Sequence, residues 1–389
     1  MSDLRATFRK SLAWAQLKRE PTRFMVGVAG ATFAVTLIIM QLGFRETMFA
    51  AGVQFHQHLV GDLFMISPNS KVLSRMSTFP RRRLVQARAI AGVRSVSPIY
   101  TAPGLLKNPE AAGVRQILVV GFDPKDRVFD LPEIVRNTNL IRMPDTGLYD
   151  AQSRPEFGPI ADTFSRAGVA QVAIEDRWFT IVGLFRLGTT FAVDGTVVTS
   201  ELNFSRIFSS RSLDEIDIGS IALEPGADPT RVQRMIEAAI PQDVLVLTRS
   251  QLIQRETEYW DRTTPIGYVF AFGTIIGFVV GAIILYQILF SDITDHLKEY
   301  ATLKALGFSN QYLFGVVFQE SLILAVLGYI FGIAIASQLY NLTEIVTRLP
   351  MHLQPKTCAF VFVITIVMSS TSAALSLRRV VAADPAEVF

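Results

Sequence analysis

The chain has 389 residues, half of them hydrophobic and only 18% charged, with a formal net charge of +3 and a mean hydropathy of +0.35. That is too apolar for an ordinary soluble protein and too polar for a bundle lying wholly in lipid, so a few membrane spans plus a water-exposed domain fit best. The single cysteine, Cys358, excludes an intrachain disulfide and a thiolate cluster, and no basic run interleaved with aromatics marks a nucleic-acid surface.

Residues 1–23 predict an amphipathic helix: Leu4, Phe8, Leu12 and Ala15 share one face, Arg5, Arg9, Lys10 and Arg19 surround it, and Pro21 ends it. Such a helix rests on membrane lipid at the interface. FMVGVAGATFAVTLIIMQLGF (24–44) follows, long enough to cross roughly 30 Å of hydrocarbon. A signal peptide cleaved near AAG (50–52) competes, but the apolar core exceeds a usual h-region and favours an uncleaved span. Arg5, Arg9, Lys10, Lys18, Arg19 and Arg23 place the N-terminus in the cytoplasm, so residues 45–265 lie outside.

This outer segment reads as α+β. GDLFMIS (61–67), VRSVSPIY (93–100), RQILVVGF (115–122), IGSIALE (218–224) and DVLVLT (243–248) are strand-like. RRRLVQARAI (81–90) and PTRVQRMIEAAI (229–240) are helical, the second with Asp228 as N-cap. The pattern predicts one lobe from 45–123 with 216–260, and an inserted strand-rich lobe over 124–215 holding a VAQVAIE/WFTIVGLF hairpin. Three further spans are expected at 266–290, 311–340 and 358–377. A charged cytoplasmic helix (291–310) and a short outer loop (341–357) separate them, and a cytoplasmic tail (378–389) begins with Arg378 and Arg379. The expected fold is an α-helical membrane bundle of four transmembrane helices with a large α+β extracytoplasmic domain between helices 1 and 2.

Chemistry is sparse. There is no GxxxxGK[ST] loop to cradle a nucleotide, and GFSNQ (307–311) lacks the second glycine of a nucleophile elbow. His56 and His58 have no third ligand nearby in sequence and read as a solvated helix end rather than a metal site. Glu175 and Asp176 fall at the hairpin turn. Within the spans, Gly273, Gly277 and Gly281 form one four-residue ridge and Gly328 and Gly332 another, open to bundle packing or a dimer seam. Glu320 is an intramembrane carboxyl, read as a helix-to-helix hydrogen bond or as a proton or substrate site.

Between the second and third spans, Ile293, Leu297, Tyr300 and Ala301 share one helical face, with Asp295, Lys298 and Glu299 opposite. Ser291 caps the predicted helix at 292–306, and Gly307 ends it in the left-handed conformation. Leu303, Leu306 and Gly307 extend its apolar surface, which favours a docking element over a helix merely resting on lipid.

EYATLKALGFSN (299–310) resembles the cytoplasmic coupling segment of FtsX-like and MacB-like ABC transporter permeases, and FQESLILAVLGYIFG (318–332) is similar to the span that follows it. SRPEFG (153–158), RWFTIVGLFRLGTTFAVDGTVVTSELNF (177–204) and the run from TPIGYVF to LKALG resemble the DevC branch, the permease of DevBCA-type exporters. The resemblance implies a homodimeric, bacterial inner-membrane permease with a MacB-like periplasmic domain and both termini cytoplasmic. A separate ABC ATPase subunit (DevA-like) would hydrolyse ATP with Mg, while this chain is no enzyme and binds no cofactor. Glu299, Leu303, Lys304, Leu306 and Gly307 would contact that ATPase. A membrane-fusion adaptor (DevB-like), a TolC-like outer-membrane channel and lipid-like or other amphipathic cargo complete the picture. An FtsX-like mechanotransmitter and a LolC/LolE-like lipoprotein-release permease are the alternatives.

Overall fold

The computed structural model describes residues 21–111, 113–190, 193–347 and 351–382. The amphipathic helix expected at the N-terminus falls almost wholly on residues 1–20, outside the described residues. The chain divides into two units: a helical one built from the chain up to Glu46, Ile266–Val346 and the chain from Met351 on, and an α+β one built from Thr47–Pro265 with residues 347–350.

A first helix, α1 (Pro21–His58), leads into the α+β unit. Its first half contains β1 (Leu63–Ile66), β2 (Phe79–Pro80), α2 (Arg82–Arg88), β3 (Val93–Lys107), β4 (Val114–Phe122), α3 (Pro132–Asn137) and β5 (Thr146–Asp150). Next come α4 (Ile160–Ala167), β6 (Ala170–Ile174), β7 (Arg177–Phe185), β8 (Thr196–Ser200) and α5 (Glu201–Ile207). The unit ends with β9 (Glu215–Ile216), β10 (Ile218–Leu223), α6 (Pro229–Ala239), β11 (Leu245–Thr248) and α7 (Arg249–Glu258). Nine of the strands form one sheet in the order β11-β1-β10-β3-β4-β8-β5-β7-β6, and β3 also pairs with β6.

The length of β3 explains that topology. Its first half pairs with β10 and its second with β4, both antiparallel. Its last two residues reach β6, with Leu106 opposite Ile174 and Lys107 opposite Ala173. Strands β3-β4-β8-β5-β7-β6 therefore close a ring, and β1, β10 and β11 extend from it. This corrects the separate lobe expected at 124–215: parallel pairing of β8 with β4, Leu118 opposite Thr196 through Phe122 opposite Ser200, merges those strands into the same sheet.

Both faces of the sheet carry apolar cores. On β4, Ile117 and Val119 enter one cluster with Tyr149, Val197 and Phe204. Leu118, Val120 and Phe122 enter the other with Leu148, Val198 and Phe129. A strand covered on both faces reads as a continuous apolar run rather than an alternating one, as LVV does in β4. The β6–β7 hairpin has Ile174 opposite Arg177, and Glu175 and Asp176 both take positive φ (47° and 61°). That is a two-residue turn of the primed kind matching strand twist. Asp228 caps α6 as expected, accepting from the Thr230 amide at 3.0 Å.

The helical unit adds α8 (Pro265–Asp295), α9 (Leu297–Ala305), α10 (Asn310–Thr347) and α11 (Pro355–Ala382). α1, α8, α10 and α11 are each long and apolar enough to cross a membrane, and each outruns its predicted span because helix continues into the polar flanks. The 341–357 loop is accordingly shorter, since α10 runs to Thr347 and α11 starts at Pro355.

The glycine ridges pack within the chain. Gly273 faces Gln41, Gly277 faces Leu37 and Ile38, and Gly281 faces Ala34 and Met368; Gly328 faces Ala31 and Thr32, and Gly332 faces Val35. Helix α1 thus seats against both ridges. Hydroxyls fasten the remaining contacts: Ser369 donates to the Ser321 carbonyl (2.7 Å), Ser372 to Ala282 (2.9 Å) and Tyr340 to Ile39 (2.7 Å). Close backbone approach and interhelical hydrogen bonds of this kind hold helices together where lipid removes the hydrophobic drive.

Candidate functional site

The segment between the second and third long helices is a helix with one buried and one exposed side. Nothing in the sequence breaks α8 at Ser291, because Leu285, Leu289 and Ile293 continue one buried stripe. The helix persists to Asp295, and His296 (φ −94°, ψ 14°) interrupts it. The predicted 292–306 helix with a Ser291 cap is thereby corrected to α9, with Asp292 and Ile293 belonging to α8. Backbone hydrogen bonds cross the break, from the His296 amide to the Asp292 carbonyl (3.1 Å) and from the Tyr300 amide to the His296 carbonyl (3.0 Å). The interruption is a bend in a nearly continuous rod. His296 Nδ1 lies 3.0 Å from the Asp292 carbonyl oxygen and 3.5 Å from its Oδ1.

The far end is sharper. Gly307 has φ 86°, its amide donates to the Lys304 carbonyl (3.0 Å) and the Phe308 amide to the Leu303 carbonyl (3.1 Å). These two bonds define a Schellman cap, which needs a left-handed residue and so favours glycine. Ile293, Tyr300 and Ala301 are buried with Leu313 and Val317. Glu299, Leu306 and Gly307 are exposed, Leu306 at 71%.

Of the five predicted coupling residues, these three stand on the open side. Lys304 is half-buried, and Leu303 packs against the bundle core, where it anchors the helix. The opening end of α1 is tied to this region by Arg23, 2.6 Å from Asp295. Glu320 is buried at 2% exposure, and its carboxyl interacts with that of Asp292. Sequence spacing could not pair them, because they lie 28 positions apart on different helices.

A second polar cluster lies in the α+β unit. The Glu256 carboxylate accepts from the Leu73 amide (3.1 Å) and from Trp260 Nε1 (3.1 Å), and His56 Nε2 stands 3.9 Å from it. His56 is buried rather than solvated, and its neighbour His58 pairs with Asp130 at 2.7 Å. Each imidazole therefore meets a carboxylate distant in sequence. Burial pushes the Glu256 carboxyl up to about 7, against the opposing pull of the Trp260 and Leu73 hydrogen bonds.

A carboxyl raised on folding contributes stability that is fully present below its ordinary value and is lost as pH rises through its raised one. From about pH 4.5 to above pH 7 this group should cost ~3 kcal/mol. Glu256→Gln, which keeps an acceptor oxygen, is expected to flatten that part of the profile. Unfolding of the two full-length proteins in detergent against pH checks it, and parallel profiles would refute it.

No curated protein matches the chain. Among solved structures, it is similar to the periplasmic region of MacB from Actinobacillus actinomycetemcomitans, at 8% identity and TM-score 0.34 over 53% of this chain and 96% of that one. It is similar also to the extracellular domain of the noncanonic ABC-type transporter YknZ from Gram-positive bacteria, at 12% identity and TM-score 0.33 over 48% of this chain and 99% of that one. The model of the FtsX-like permease C-terminal family matches residues 270–385, which take in the bend, the capped helix and the two helices that follow. Over those residues the chain is similar to the FtsX-like permease C-terminal family.

Proposed function

We propose that this protein is the membrane subunit of an ATP-driven exporter of the DevBCA/MacB type. FtsX-like permeases work with an ABC ATPase partner, and here α9 would receive that partner. The observation that carries the reading is Leu306, 71% exposed two turns along from Glu299, at the end of a helix whose opposite side is buried in its own bundle. A large apolar side chain held in the open, on the same helical face as a charge, suits a protein contact. Glu299, Leu306 and Gly307 would touch the ATPase, with Leu303 and Lys304 holding the helix in place.

Binding and hydrolysis of ATP with Mg on the partner would tilt α9, the bend at His296 would pass the motion to α8, and the α+β unit would move with it. In this reading the protein is a homodimer in a bacterial inner membrane, with both termini cytoplasmic and the α+β unit periplasmic. A membrane-fusion adaptor and a TolC-like outer-membrane channel would carry lipid-like or other amphipathic cargo onward.

Purification of the full chain from its native membrane in mild detergent, with co-purifying proteins identified by mass, tests the assignment. An ABC ATPase together with a periplasmic adaptor is the expected result. An ATPase with a cell-wall hydrolase or a lipoprotein, and no adaptor, would overturn the exporter reading. In the purified complex, Glu299→Lys is expected to lower stimulated ATP hydrolysis several-fold; unchanged stimulation would remove Glu299 from the contact.

A further inference from the structure

At the base of the helical unit, beside the bend that leads into α9, two carboxyl groups from different helices meet. Glu320 comes from α10 and Asp292 from the end of α8, and their side chains interact directly. Glu320 is 2% exposed, and its Oε1 has no hydrogen-bond partner among the described residues. No ion pair to Glu320 forms among the described residues either. The Asp292 side chain is more open, at 17%, and has His296 on its other side at 3.5 Å. Two ionised carboxylates in contact and out of water repel strongly. One proton between them converts that repulsion into a charge-assisted O–H···O⁻ bond, among the stronger hydrogen bonds.

We propose that Glu320 and Asp292 form a proton-binding site in which Glu320 carries one proton and donates it to the Asp292 carboxylate. Other titratable groups at this end of the bundle, among the described residues, include Arg23 on α1, paired with Asp295 on α8, His296, Tyr312 on α10, and Lys298, Glu299, Tyr300 and Lys304 on α9. His296 bridges the site to the bend, because its ring meets both the side chain and the carbonyl of Asp292. When the proton is bound, α8 and α10 are tied one turn before α9 begins. When it leaves, the same two groups push apart. Proton occupancy thus sets how firmly the bend is held, whatever partner α9 receives.

The site can be read directly by infrared spectroscopy of the full chain in phosphatidylcholine vesicles, through the carbonyl stretch of a neutral carboxylic acid. At about neutral pH, where exposed Asp and Glu are ionised, the difference between wild type and E320Q should show one such band, present only in wild type. In D292N the band should persist but shift, because the acceptor changes from a carboxylate to an amide. Absence of the band from the wild-type-minus-E320Q difference would mean that both groups are ionised, and would overturn the proposal. So would an unshifted band in D292N, which would show that the proton is not shared. Loss of the wild-type band on adding sodium at constant pH would assign the site to a metal cation instead. Should E320Q fail to fold, the D292N shift and the titration of the wild-type band still decide the matter.

Discussion

Leu306→Asp is expected to abolish stimulation of the partner ATPase while leaving the chain folded. The side chain is 71% exposed and sits at the C-terminal end of a helix whose stability comes from the other side, where Tyr300, Ala301 and Leu303 join the bundle. Little within the chain depends on it. A central apolar anchor at a protein contact is worth 2 kcal/mol or more on truncation, and each 1.4 kcal/mol is tenfold in affinity. Placing a charge there should weaken ATPase binding by about 30-fold or more. Titration of the purified ATPase against wild type and variant in detergent gives the number, with the unfolding temperature as control. Wild-type affinity in the variant would move the docking surface away from α9.

Gly328→Leu should be the most damaging change in the helical unit. A Cβ at this position would stand 3.0 Å from the carbonyl carbon of Ala31 and 3.1 Å from the Thr32 amide nitrogen. The obstacle is backbone, which cannot rotate away as a side chain would. The α1–α10 contact must then open, and overpacking of this kind costs about 3 kcal/mol, which appears as a ~10 °C fall in unfolding temperature. Ile330, 54% exposed on the same helix, supplies the control: Ile330→Leu should be silent. If Gly328→Leu unfolds at the wild-type temperature but splits a dimer, the ridge is a seam between copies and not the seat of α1.

What the sequence revealed depended on whether the deciding contact was local. Gly307 announces the end of α9 because a Schellman cap is written within six residues. Asp228 announces α6 for the same reason, and Glu175–Asp176 the β6–β7 turn. The start of α9 was not legible: nothing at Ser291 stops a helix whose buried stripe continues through Ile293, and the interruption at His296 carries no Gly or Pro. The four spans follow from apolar length alone, yet the partner of each glycine ridge does not, since a ridge describes one surface only. In the α+β unit the strands could be found but not their order. Pairing of β4 with β8 joins residues nearly eighty positions apart and turns an apparent insertion into the middle of a sheet. His56 looked solvated for a like reason, because Glu256, two hundred residues on, supplies its surroundings.

The reach of β3 from β10 at one end to β6 at the other has a mechanical consequence. A sheet joined end to end cannot be peeled strand by strand from that side: a pull on any member of the ring is shared by two neighbours and loads their hydrogen bonds in shear. Among the described residues β11 is paired on one side alone, and β6 meets β3 only through Ala173 and Ile174, so the longer open edge lies at β11, away from the closure. A unit built this way should respond to a push as a single stiff lever arm and not as a chain of yielding parts.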